Sequence, residues 1–349
     1  MEDHTTRLRW VEEMYPGYFT LTMATGIISI ALDLLAMRSF SLVLYWVTLV
    51  SWAALFIVYT WRLVRFPKAV WADLMNPRLT FNFFSFVAAT DVSGLLLHLH
   101  GYDYAAFLCW VVALLAWSVL LYCGFSVLTL LHGERTVNVV DGGWLICIVG
   151  TQSLVLLGLK VVGQVGDYAA FMMLGIYMLW WLGLILYGVF VTLFCYRLFF
   201  LEMSIDDYGP LMWVVMGASA ISANASSTLD MSDPVIHVLS EIHPVVDGAA
   251  LLTWTWATWW IPLLVVIGFW KHFVRRVPLR YEPRQWSVVF PLGMYTVASY
   301  QLSLAAEFEP LHQISHVMIW VAVIVWCLLM IGLLRRLAAW FLMAERHVA

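Results

Sequence analysis

The stretch Leu79–Tyr102, LTFNFFSFVAATDVSGLLLHLHGY, decides the fold. It runs for 24 residues with one formal charge, Asp91, near its middle. A bilayer-crossing helix needs about 20 predominantly apolar residues, so only Asp91 stands against a span here. Nine further windows hold no Asp, Glu, Lys or Arg at all: 14–32, 39–61, 104–133, 142–159, 168–196, 208–229, 248–270, 285–306 and 310–334. Counting 79–102 with them makes ten spans, and an even number returns the chain to the side on which it began.

The composition agrees with this reading. Of 349 residues, 63% are apolar and 11% charged, against about 45–50% and about 25% in soluble domains. With 18 basic and 22 acidic residues the net charge is −4, which excludes a nucleic-acid footprint. The cysteines at 109, 123, 147, 195 and 327 lie in apolar runs without a CxxC pair, so neither a disulfide framework nor a structural zinc site is expected. The first window starts late and lacks a basic leader, unlike a cleaved signal peptide. The expectation is one all-α polytopic membrane domain over 1–349, with short termini at 1–14 and 336–349.

Orientation follows from the basic residues. With both termini on one side, that side holds Arg7, Arg9, Arg62, Arg65, Lys68, Arg78, Arg135, Arg197, Lys271, Arg275, Arg276, Arg280, Arg284, Arg335, Arg336 and Arg346. Only Arg38 and Lys160 fall opposite. Both termini are therefore expected in the cytoplasm, with the chain in the plasma (inner) membrane. Acidic outer loops (Asp167, Asp230, Asp233, Glu241, Glu307, Glu309) and tryptophans near the inner ends, Trp340 among them, fit that orientation.

The odd-numbered spans repeat. Phe19-TLTMA-Thr25, Phe84-SFVAA-Thr90, Leu145-ICIVG-Thr151, Met212-WVVMG-Ala218 and Phe290-PLGMY-Thr296 each set a bulky residue six positions before a small one. The spacings of 65, 61, 67 and 78 residues each correspond to one helical hairpin. Polarity follows the same division, with 24 Ser, Thr, Asn or Gln in 99 odd-span residues against 13 in 123 even-span residues. Polar groups are costly against lipid, so five odd helices are expected to form an inner pseudo-five-fold ring around a narrow central pore. Its lining would comprise Phe19, Thr25, Phe84, Thr90, Leu145, Thr151, Met212, Ala218 and Thr296. Small and hydroxyl residues that merely pack helices together remain the other reading. An uncharged hydroxyl-bearing lining, entered from a basic face, leans towards anions. Pro291 predicts a break or kink at Phe290, and the Phe290 ring in a narrow pore would act as a gate.

Four segments carry a family resemblance: Pro16-GYFTLTMATGIISIA, Asn76-PRLTFNFFSFVAATDVSG, Trp256-ATWWIPLL and Trp286-SVVFPLGMYTVAS. In this order they resemble the tellurite-resistance/C4-dicarboxylate transporter family, which includes plant slow anion channels, yeast malate permeases and sulfite exporters. The resemblance implies ten helices as five hairpins around a pore, assembly into homotrimers, and a helix-9 phenylalanine, here Phe290, closing the path. It implies small anions as partners: chloride, nitrate, sulfite, tellurite or malate. Asp91 departs from the neutral residue expected beside Thr90.

A carboxylate within a membrane is costly and tends to be functional or paired, so Asp91 is a candidate for proton coupling, with a hydrogen-bonded packing role as the alternative. A proton-coupled dicarboxylate carrier is thus the second functional reading, and a membrane-embedded receptor or structural protein a third. Outer histidines at 98, 100, 237, 243, 312 and 316 include the i,i+4 pair His312 and His316, but no metal site or cofactor is expected. No nucleophile–base pair at one depth points to an enzyme.

Overall fold

The computed structural model describes residues 9–131, 137–232 and 236–346. Arg7, Arg135 and Asp233 lie outside them, as do the side chains of Trp340 and Arg346. Every element among the described residues is helical. The long helices are α1 (Thr20–Leu34), α2 (Arg38–Arg65), α3 (Phe84–Leu99), α4 (Asp103–Ser126), α5 (Ile146–Val161), α6 (Ala169–Phe200), α7 (Val214–Asp230), α8 (His243–Phe269), α9 (Trp286–Ala305) and α10 (Pro310–Arg346). Seven helical stretches are long and apolar enough to cross a membrane. One of them, Gly142–Phe200, contains both α5 and α6. This is a multi-pass membrane protein.

Helix α1 begins at Thr20, later than the apolar window at 14, because Pro16 and Gly17 lie in a turn before it. The other odd helices open through tight 3-10 turns: Thr80–Phe83, Gly142–Leu145, Pro210–Trp213 and Pro283–Gln285. Two of these begin with proline, whose missing N–H costs nothing at a helix start. Of the break or kink expected at Phe290 there is no break: α9 stays helical through Pro291. Its ring instead fills the space beside Gly217 of α7, where a Cβ would come within 2.7 Å of Pro291 Cγ. Neighbouring helices commonly absorb a proline within the membrane in this way.

The odd helices pack in sequence, α1 on α3, α3 on α5, α5 on α7, α7 on α9, and α9 back on α1. Each even helix packs against its preceding odd helix and touches the following one. Burial separates the two sets. Every residue of α7 from Val214 to Leu229 is buried, whereas α2 buries only Ser41, Leu44, Tyr45, Thr48 and Arg62. Glycines permit close approach, as at Gly293 of α9 against Ile27 of α1 (2.8 Å to Cγ2 from a Cβ).

Two recurring polar contacts organise this packing. The first links each even helix to the next odd helix through an indole donor. Trp52 Nε1 donates to Thr90 Oγ1 (3.0 Å), Trp117 to Thr151 (2.8 Å), Trp180 to Ser226 Oγ (2.9 Å), Trp254 to Ser299 Oγ (2.9 Å), and Trp326 to Thr25 Oγ1 (3.0 Å). The last bond joins α10 to α1 across 301 positions of sequence. The second contact closes hairpins at their basic ends. Arg62 Nη2 donates to the Glu12 carbonyl (2.8 Å), Arg197 Nη1 to that of Val140 (2.7 Å), and Lys271 Nζ to that of Tyr208 (2.9 Å). In each case a cation late in an even helix, or in the turn that follows it, holds the segment just before the odd helix of its own hairpin.

Candidate functional site

The indole contacts fix which way each odd helix faces. The hydroxyls of Thr25, Thr90 and Thr151 donate to the carbonyls of Leu21, Phe86 and Cys147 one turn back, and each accepts an indole N–H from an outer helix. Each of these three expected lining hydroxyls thus donates one bond within its own helix and accepts one from an outer helix. Thr296 donates to the Leu292 carbonyl, and Ala218 is buried with its carbonyl accepting from Ser222.

On α9 the outward face carries Tyr295, bonded to Thr258 of α8 at 2.8 Å, and Ser299, bonded to Trp254. Successive residues of an α-helix turn by about 100°, so Phe290, nine positions before Ser299, points about 180° away from it. Pro291 packs on α7 and Gly293 on α1, so the flanks of α9 are filled as well. Phe290 is fully buried. Met23 and Ile27 on α1, Ala88 and Val92 on α3, and Val149 and Ser153 on α5 lie two positions from a clasped hydroxyl; Val92 packs over Gly26 of α1, Ile27 against Gly293 of α9, and Ser153 bonds Asp91 of α3. All are buried.

The bulky residues aligned with Phe290 are also buried, in different settings. The Phe19 ring sits 5.2 Å from both Tyr59 and Phe86, wedged between α1, α2 and α3. Phe84 packs over Gly150 of α5, where a Cβ would be 3.2 Å from its Cδ1. Leu145 and Met212 lie in adjoining turns, and Gly142 there abuts the Leu211 carbonyl so closely that no side chain fits.

A voltage-dependent anion channel family model matches residues 13–334, nearly the whole chain. The chain belongs to the voltage-dependent anion channel family. An uncharacterized membrane protein of Mycobacterium tuberculosis, in strains CDC 1551 and H37Rv, is 41% identical over 155 residues, covering 44% of this chain and 78% of its own. An uncharacterized transporter of Methanocaldococcus jannaschii is 19% identical over 340 residues, 92% of this chain and 94% of its own.

Within this channel-family fold, Asp91 is fully buried between α3 and α5. Ser153 Oγ donates to its Oδ2 at 2.7 Å, while Oδ1 has no protein partner. At the basic end, Asp141 caps the turn that opens α5, its Oδ1 accepting from Gly143 N at 2.9 Å. Burial pushes the Asp141 carboxyl up to about 6, against the opposing pull of the Gly143 N–H and of Arg197, Arg284 and Arg78. Asp207 moves the other way. Burial opposes ionisation there too, but hydrogen bonds from Ser204 and Arg197 outweigh it and hold the carboxyl low. Among the described residues no group of three or more His, Cys, Asp or Glu is arranged to hold a metal. His312 and His316 stack ring on ring at 4.9 Å.

The indole–hydroxyl clasps were missed by sequence reasoning. The signal was present: each even helix has a tryptophan at mid-length and each odd helix a hydroxyl. The pairing joins neighbouring hairpins, however, and periodicity within one helix does not reveal it.

Proposed function

We propose that this protein passes small anions across the bilayer through a path down the centre of the α1–α3–α5–α7–α9 ring, closed at rest by the Phe290 ring. The observation that carries the reading is the ring itself, five polar-rich helices packed in a closed cycle in a chain whose family is that of anion channels. In this reading all ten long helices cross the membrane as five hairpins within a single domain over 1–349. The short α1 and α7 are sheltered by longer outer helices, both termini are cytoplasmic, the membrane is the plasma (inner) membrane, and the assembly is a homotrimer. The lining is apolar near Phe290, with Phe84, Leu145 and Met212 close to its level. Thr25, Thr90 and Thr151 serve the ring wall through their clasps rather than meeting the anion. Chloride, nitrate, sulfite, tellurite and malate are the anions to test.

An aromatic plug in a narrow apolar constriction stops ions by sterics and dewetting. Phe290→Ala is therefore expected to raise anion flux into liposomes at least tenfold at unchanged folded yield. A well-folded variant with wild-type flux rejects the gate.

Asp91 supports a second reading, proton-coupled carriage. Its unpartnered Oδ1 is a buried acceptor with room for a proton, and protonation removes a charge that repels a passing anion. Asp91→Asn is expected to retain flux but flatten its rise on acidification. If the wild-type and variant pH profiles coincide, Asp91 is a packing residue.

A further inference from the structure

A cavity of about 220 Å³ opens at the basic end of the molecule, between the end of α8 and the starts of α7 and α9. One wall is apolar, formed by Leu264 and Ile267 of α8 and Val288 of α9. The other is basic, with Lys271 in the widened π-type turn Trp270–Val274 that ends α8, and Arg280 in the loop that follows. Two hydrogen bonds hold that loop over the helix end: His272 Nδ1 with the Val277 carbonyl (2.8 Å), and Gln285 Nε2 donating to the Arg280 carbonyl (2.9 Å). Leu279, beside Arg280, is 74% exposed and also lines the cavity, so the mouth presents an apolar side chain and a cation together. Lys271 is half-buried and donates to the Tyr208 carbonyl at 2.9 Å, which uses one of the three donors of its ammonium. Neither Lys271 nor Arg280 forms an ion pair among the described residues. Among the described residues a single carboxylate, Glu282, lines the space with these two cations.

Cations at a helix end beside an apolar wall are the complement of an acidic lipid: the wall takes acyl methylenes and the cations take the phosphate. We propose that this cavity seats one anionic phospholipid of the leaflet at the basic end, its phosphate on Lys271 and Arg280 and the upper part of one chain against Leu264, Ile267 and Val288. The chains continue along α8, where Val265, Val266 and Phe269 are exposed. Because its two hydrogen bonds already hold the loop, little ordering is left for binding to accomplish. Val288 lies two positions before Phe290, about 200° around α9 from it. The cavity is therefore on the other side of α9 from the proposed gate. The site requires only that α8 end at a membrane surface, so loss of transport in a variant that still binds lipid bears on the central path alone.

The test is native mass spectrometry of the protein released from nanodiscs of phosphatidylglycerol and phosphatidylcholine in equal parts. Lys271 holds the Tyr208 carbonyl, so it is left intact. Arg280→Gln removes the exposed cation at the mouth. Gly268→Leu fills the cavity without touching charge, since Gly268 lines it and a Cβ there meets nothing within 4 Å. Arg65→Gln removes an exposed cation at the same end of the molecule but outside the cavity, and serves as the control. The expected result is one retained phosphatidylglycerol per chain, its retention weakened about fivefold by each of the first two variants and unchanged by the control. Equal retention of the two lipids, retention that survives both variants, or an equal loss in the control rejects the site. Glycerol 3-phosphate carries the phosphate without the chains, and displacement of the lipid by an equal concentration of it overturns the lipid in favour of a free anion. Loss of an oligomer rather than of lipid in Gly268→Leu likewise overturns the proposal, giving this face to a second copy of the chain.

Discussion

Asp141 shows how a single side chain combines structure with pH dependence. It caps α5 through Gly143 N and is buried enough to ionise only near pH 6, against an ordinary value of 3.8. The folded state therefore binds more protons than the unfolded chain between those two values, and stability falls as pH rises through that window. Above pH 6 the cost is fully present, on the order of 3 kcal/mol at about 1.4 kcal/mol per pKa unit. Asparagine caps as well as aspartate and carries no charge. Asp141→Asn is thus expected to raise the thermal midpoint at pH 8 by several degrees, with the gain fading towards pH 4.5. An equal gain at both pH values, measured by tryptophan fluorescence, contradicts the buried-charge account. Nothing in the local sequence Val139-VDGG distinguishes this aspartate from a solvated loop residue, because Arg78, Arg197 and Arg284 reach it from three distant segments.

The helices themselves were legible because the lipid-crossing requirement is written in length and polarity. Leu79–Tyr102 was read correctly as helical despite Asp91, with α3 at Phe84–Leu99. What the sequence did not reveal is rotation about each axis. The repeat register aligned Thr25, Thr90 and Thr151 correctly with one another, but a polar residue inside an apolar bundle has two refuges, a wet axis or a partner on the next helix. The five indoles supply that partner. Each clasp is one hydrogen bond away from water, of a kind that contributes about 0.6–1 kcal/mol within membranes. Trp117→Phe preserves most of the ring volume and removes the N–H to Thr151. It is expected to lower unfolding stability by about 1 kcal/mol in a mild-detergent denaturation series. The pair Trp117→Phe with Thr151→Val is expected to cost less than the sum of the singles, since each removes the same bond. Additive losses, by contrast, leave the clasp without energetic meaning.

At the scale of the whole molecule, charge and clamp share one geometry. The cations that hold hairpins closed, Arg62, Arg197 and Lys271, all sit at one end of the bundle, the end to which the sequence assigns 16 of the 18 basic residues. The residues that close these hairpins are thus among those the charge bias counts when it predicts the orientation. Inverting the protein would bury these cations' loops on the wrong side with their clamps intact, so orientation must be measured separately from folding. The loop between α5 and α6 contains Gly163, which has open space around it, and that between α8 and α9 contains the exposed Arg276. Gly163→Cys and Arg276→Cys place one thiol in each. In intact cells a membrane-impermeant maleimide is expected to label position 163 and to reach position 276 only after permeabilisation. Because Cys109, Cys123 and Cys195 are half-buried and Cys327 exposed, both variants are made in a background with the native cysteines replaced by alanine. Labelling of 276 in intact cells, with 163 protected, inverts the orientation and places the clamps of Arg62, Arg197 and Lys271 at the outer surface.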